Sequence, residues 1–166
     1  MTRGLLAVLI VPGALLFAVA GAEAQQLPKS GKFTSHFAYH YVTKVSELEK
    51  DHVFVTGETI GTMLNEAGSG FLHATAVVCP LANDNVGGVS NAHGYCIVTD
   101  AAGDKMFLAF KCKSPQPGAR CEGELQWTGG TGKYTGIRGN GVFNAGAVPK
   151  TASGYAVWKG EWQLPD

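Results

Sequence analysis

Five histidines (36, 40, 52, 73 and 93), the acid Glu58 in the middle of an apolar stretch, and the acidic pair Asp100 and Asp104 could move protons or hold a metal in this 166-residue chain. His36 and His40 share one face of an extended segment. Four residues at ~3.3 Å each set them too far apart to chelate one ion, so they read as an outer or rim pair. His73 and His93 fall on two strands expected to pair, near one another but not opposite. They read as barrel lining or surface groups, and no metal site is expected. Glu58 has two readings. Facing inward, burial would raise its pKa and make it a general acid or base; facing outward, it is a solvated charge on an edge. Asp100 and Asp104 miss the spacing of a calcium loop and read as turn caps. Neither G-x-S-x-G, nor H-E-x-x-H, nor a locally supported Ser-His-Asp arrangement occurs.

Gly129-Gly-Thr-Gly-Lys133 invites a nucleotide-binding reading, and its spacing rules this out. A P-loop needs glycine five residues before the glycine of its Gly-Lys pair and serine or threonine after the lysine, where this chain has Trp127 and Tyr134. The whole stretch Leu125 to Asn144 carries six glycines, a density no helix tolerates at roughly 1 kcal/mol each. It reads as two short strands joined and bent by glycine, with Trp127, Tyr134, Ile137, Val142 and Phe143 supplying buried surface.

The elements that must position these groups are strands. Phe33 to Thr43 alternates with an aromatic face that includes Tyr39, and the polar run Ser46 to Asp51 is expected to break it. His52 to Met63 is the second strand, followed by the turn cluster Asn65 to Gly70. Phe71 to Cys79 is the third, closed by Pro80, and Leu81 to Ser90 is read as a loop. Asn91 to Thr99, Lys105 to Lys113 and Arg120 to Trp127 follow; the glycine stretch supplies the seventh strand and Gly154 to Gln163 the last. Short strands at this spacing, with glycine and proline turns, mean a barrel or a sandwich.

Thr128, Gly129, Gly130, Thr131, Gly132, Tyr134, Gly136 and Gly139 resemble the T-G-G-[AT]-G-x-[FY]-x-G-x-x-G motif of the allene oxide cyclase and dirigent barrel group. Gly94-Tyr95, with Asp100, Gly103 and Asp104 after them, resembles the strand pair that precedes that motif. The resemblance implies an all-β fold, an antiparallel eight-stranded closed barrel of allene oxide cyclase/dirigent type. It also implies a homo-oligomer, and either a cyclase or isomerase working without a cofactor or a protein that steers coupling without catalysing it. In that setting Gly129, Gly130, Gly132, Tyr134, Gly136 and Gly139 form a structural motif. The candidate ligand-binding residues are Tyr39, Glu58, His73, His93, Tyr95 and Trp127, and no catalytic residue can be carried over.

Residues 1–24 read as a cleaved signal peptide, with Arg3, an apolar run from Leu5 to Ala20 and the A-x-A site Ala22-Glu23-Ala24. Residues 25–31 then form a linker and 32–166 the barrel domain, exported to the periplasm or outside the cell with no membrane anchor after cleavage. Thirteen basic and thirteen acidic residues balance, and the basic ones are scattered, which argues against nucleic acid as a partner. Four cysteines in an exported chain favour two disulfides. Of the three pairings, the turns favour Cys79 with Cys96 and Cys112 with Cys121, each pair flanking one turn. The functional expectation is a small barrel that binds an apolar or aromatic molecule in its interior or mouth. The alternatives are a cyclase-like enzyme that enforces a substrate's conformation, and an envelope protein whose barrel is filled by its own side chains.

Overall fold

The structure, a computed structural model, describes residues 27–117 and 119–166; the signal segment, its cleavage point and the first residues of the linker lie outside the described residues. Eight strands run in chain order: β1 (Ser30–Glu49), β2 (His52–Asn65), β3 (Thr75–Val86), β4 (Val89–Thr99), β5 (Lys105–Lys113), β6 (Cys121–Gly130), β7 (Asn140–Ala147) and β8 (Ser153–Gln163). Each pairs antiparallel with its neighbours and β8 returns to β1, so the sheet is a closed antiparallel barrel. Closure removes the sheet edges that an open eight-stranded sheet would expose, except where β1 runs on past the end of its ladder with β8.

Alternation along each strand decides what fills the barrel. On β1 the side chains of Phe33, Ser35 and Phe37 are buried, whereas Lys32, His36 and Ala38 face water. The pairings carry this parity around the barrel: Phe37 lies opposite Met63, and Met63 opposite Thr75, all three inward.

The two ends differ. At one end the turn after β2, the turn after β4 and the glycine stretch after β6 meet in a plug of Phe33, Phe71, Trp127, Tyr134 and Trp162. Phe71 stacks on Trp162 at 4.5 Å between ring centroids and meets Trp127 edge-on at 5.5 Å. At the other end β1 and β2, and beside them β3 and β4, rise past the turn between β7 and β8, because the β1–β8 ladder stops at His40 opposite Ser153.

Three segments differ from the sequence expectation. The polar run after Thr43 does not break β1, which continues to Glu49 because β2 pairs with it throughout; only Lys50 and Asp51 turn, Asp51 at φ 61°. Leu81 to Ser90 is not a loop. Asn83 and Asn85 pair with Val55 and Val53 of β2, and the turn shrinks to Gly87-Gly88. Phe71 to Ala74 is not strand: Leu72 and Ala74 take φ of 63° and 52°, lifting the chain off the sheet and driving Phe71 and Leu72 into the plug.

Pro80 does not close β3. It sits where the β3–β4 ladder skips from Val78 opposite Ile97 to Leu81 opposite Gly94, so its missing donor falls beside the Cys79–Cys96 disulfide that already joins the two strands. The second disulfide joins Cys112 and Cys121, as the turns favoured.

Candidate functional site

The open end of the barrel leads into a cavity of about 160 Å³. Phe37, Tyr39 and Tyr41 line it from β1, in a row along the strand, Phe37 tilted against Tyr39 at 4.7 Å between ring centroids and Tyr39 edge-on to Tyr41 at 5.2 Å. Trp158 meets Phe37 edge-on at 5.8 Å, and Phe110 meets Phe143 at 5.9 Å across the cavity's β5–β7 wall. Leu81, Leu125, Ala92, Ala145 and Ala156 complete the apolar surface, and both disulfides face into it.

Tyr39 owes its place to two glycines, since its partners across the ladders are Gly61 on β2 and Gly154 on β8. A Cβ on Gly154 would stand 2.4 Å from the Tyr39 ring, so the ring lies over a backbone with no side chain to displace it. Burial, and then the Tyr41 hydroxyl beside it, pushes the Tyr39 pKa far above the ordinary tyrosine value. The phenol is therefore neutral and offers a hydroxyl, 3.3 Å from that of Tyr41.

Few other polar groups reach the cavity. Thr59 is buried at its wall, and Asn83 and Ser90 stand together near its mouth, Asn83 Nδ2 donating to Ser90 Oγ at 3.3 Å. Ser114, only 3 % exposed, ties this corner to the β5–β6 turn by accepting from the Ser90 amide at 2.9 Å. Among the described residues no carboxylate, imidazole, amine or guanidinium lines the cavity. It can enclose an aromatic ring and hold one or two of its oxygens; it has no strong acid or base with which to move a proton.

Of the six residues singled out from the sequence, Tyr39 lines the cavity and the others stand elsewhere. Glu58 pairs with Val42 and Pro80, out of phase with the inward Thr59, and so faces outward. Tyr95 is 63 % exposed on the outer face of β4. His93 is outward and exposed, opposite Ala82 and Lys111. His73 belongs to the plug-end turn, before β3 begins at Thr75, and the seven residues from Thr75 to the Ala82 that faces His93 span about 23 Å of strand, so the two histidines are not near one another. Trp127 is 1 % exposed but buried in the plug. Among the described residues no cluster of three His, Cys, Asp or Glu is placed to hold a metal ion.

Tyr41, Thr59, Asn83 and Ser90 were missed. Tyr41 carried a signal, since it alternates in phase with Phe37 and Tyr39. Asn83 and Ser90 carried none that composition could show, because Asn, Asp and Gly there look like a loop.

The glycine stretch works at the plug. After β6 it makes one 3-10 turn, Gly132–Tyr134, and pairs Arg138 with Gln163 before β7 begins. Gly129, Gly132, Gly136 and Gly139 all take positive φ, and Tyr134 and Ile137 are buried as expected, whereas Val142 is 58 % exposed on the outer face. Asp100 holds the turn down: its carboxylate accepts from the Tyr134 hydroxyl at 3.2 Å, pairs with Lys133, and receives the amides of Ala102 and Asp104. Burial works to raise the Asp100 pKa, but Lys133 and those amides outweigh it and the net shift is downward.

No protein-family model matches the sequence, and no curated protein matches it. Among solved structures the chain is similar to a pterocarpan synthase dirigent protein, with a TM-score of 0.52 over 85 % of this chain and 90 % of that one at 13 % identity. With every strand antiparallel and the ring closed by β8 on β1, the chain has the eight-stranded barrel fold of the dirigent-like group.

Proposed function

We propose that this protein is an exported barrel that binds a small aromatic or largely apolar molecule, one ring of which enters the open end. The observation that carries the reading is the asymmetry of the interior: one end is packed solid with aromatic rings, while the other holds a cavity of about 160 Å³ between Tyr39, Tyr41, Phe110, Phe143 and Trp158. A dry cavity of about 150 Å³ accepts benzene, so the space suits one ring, with the remainder of a larger molecule lying in the mouth. The neutral Tyr39 hydroxyl, Thr59 and Asn83 would fix the orientation of a ring oxygen. A barrel filled by its own side chains has no such space. Two disulfides support the exported state.

The likeness to a pterocarpan synthase dirigent protein supports a second reading, in which the same cavity steers ring closure or coupling of a reactive intermediate. With no carboxylate, imidazole, amine or guanidinium in the lining among the described residues, such steering would work by confinement and by hydrogen bonding from Tyr39.

The test is fluorescence titration of the purified protein with small phenols and naphthols, since Trp158 lines the cavity and reports on it. Saturable quenching is expected from the wild type. It should be lost in Ala92→Phe, which puts a ring into the mouth-side half of the cavity. Quenching that is non-saturable, or equal in the two proteins, would sink the binding reading. Turnover of a candidate substrate without net oxidation would select the steering reading.

A further inference from the structure

β1 has 20 residues, but β8 pairs with only its first half, from Ser30 opposite Gln163 to His40 opposite Ser153. One more bond closes that side, Tyr41 N donating to Ala152 O at 2.7 Å. On its other side β1 stays paired with β2 to Glu49. From Thr43 to Glu47 the strand therefore has a neighbour on one side only, inside a barrel that is otherwise closed.

The Tyr41 bond sets the phase of this edge. Because the amide of Tyr41 points to the β8 side, those of Thr43, Val45 and Glu47 do so too, and their carbonyls with them. Among the described residues no backbone hydrogen bond runs from these three to any segment beyond the β1–β2 ladder. The side chains along the edge are open as well, Val42 at 50 % and Val45 at 60 %. Such an edge is a template for one more strand.

We propose that the edge pairs antiparallel with the same edge of a second copy, about a two-fold axis at Val45. Opposed residues in such a pair lie on the same face and in the same hydrogen-bonding class, which leaves few registers. An axis at Lys44 sets Lys44 against its own copy and calls on the Tyr41 amide, already bonded to Ala152. An axis at Glu47 sets Glu47 against its own copy. An axis at Ser46 opposes Val45 to Glu47. The axis at Val45 uses all three free residues: Val45 meets Val45, Thr43 meets Glu47, Lys44 meets Ser46, and no like charges are opposed. A β-bulge between Glu47 and Glu49 ends the pairing at one side and Ala152 at the other, so the contact is short. Being isologous, it consumes both edges and does not propagate.

The experiment is sedimentation velocity of the purified protein from about 10 μM to about 1 mM, the range suited to a small interface. A reversible monomer–dimer equilibrium is expected. Val45→Lys opposes like charges at the axis and should weaken the dimer by about tenfold, whereas Thr43→Lys faces Glu47 of the other copy and should tighten it by about fivefold. Both sites are exposed, and near-ultraviolet circular dichroism will show whether each variant keeps the native fold. The same charge added two residues apart must therefore act in opposite directions. A protein that stays monomeric across the range, including one that takes up a foreign strand on this edge instead, overturns the proposal. So does a dimer that both variants leave unchanged or shift the same way.

Discussion

At Gly132 the backbone takes φ 53°, and a Cβ there would fall 1.9 Å from a carboxylate oxygen of Asp104. That carboxylate accepts the Lys133 amide at 3.3 Å, so it cannot swing aside without giving up the bond. Gly132→Val is expected to cost on the order of 2–3 kcal/mol, lowering Tm by roughly 6–12 °C in a thermal melt. Lys133→Ala removes an ion pair whose lysine is 44 % exposed and should cost only about 0.5–1 kcal/mol. The opposite ranking would mean that the stretch acts through its lysine and not through its backbone. Asp100 supplies a pH dependence at the same place. Its folded pKa is depressed, so its contribution is present above the ordinary aspartate value and is lost as pH falls through the folded value. Acid unfolding of the wild type should accordingly steepen below the ordinary aspartate range, and Asp100→Asn should flatten that limb of the curve. An unchanged limb would show that the carboxylate is not held as described.

Among the elements, the two disulfides are the strongest ties between neighbouring strands, and they close loops of different length. Cys79 and Cys96 are separated by 17 residues and join β3 to β4 where Pro80 interrupts the ladder; Cys112 and Cys121 are separated by 9 and join β5 to the start of β6. Replacing either pair by alanine is expected to cost about 2–4 kcal/mol, with the longer loop at the upper end. Urea unfolding of the two double variants checks the order. The same strands frame the cavity, so loss of either bridge should also weaken any ligand found by titration. The plug is the opposite kind of element, with no covalent tie, held by ring packing and by the Tyr134 hydroxyl donating to Asp100. Phe71 reaches it only because Leu72 and Ala74 accept left-handed backbone, an arrangement stabilised by the stack on Trp162 and the edge contact with Trp127.

For the molecule as a whole, the export reading makes one further prediction: protein recovered from its native host should begin at Gln25, as N-terminal sequencing will show, and an intact Met1 form would contradict it. Much of the architecture was legible in the residues. Period-two alternation placed most of the eight strands, and glycine and proline placed most of the turns, because both signals act over a few residues of chain. The disulfide pairing was legible for the same reason, each pair flanking a single turn. Three things were not. Leu81 to Ser90 is strand because β2 and β4 supply partners on both sides, a stabilisation its polar composition does not reveal. The faces of Glu58, Tyr95 and His93 depend on registers that run around the closed ring, and a shift of one residue would turn each of them over. The cavity depends on more still: eight strands must close before their side-chain volumes can be compared, and the shortfall falls at the mouth end, where Ala92, Ala145 and Ala156 leave room that Phe33, Phe71, Trp127 and Trp162 take up at the plug. Chain-local chemistry thus determined most of the strands and turns, while closure of β8 on β1, the open end and the unpaired edge of β1 are relations between distant segments that only their packing together could decide.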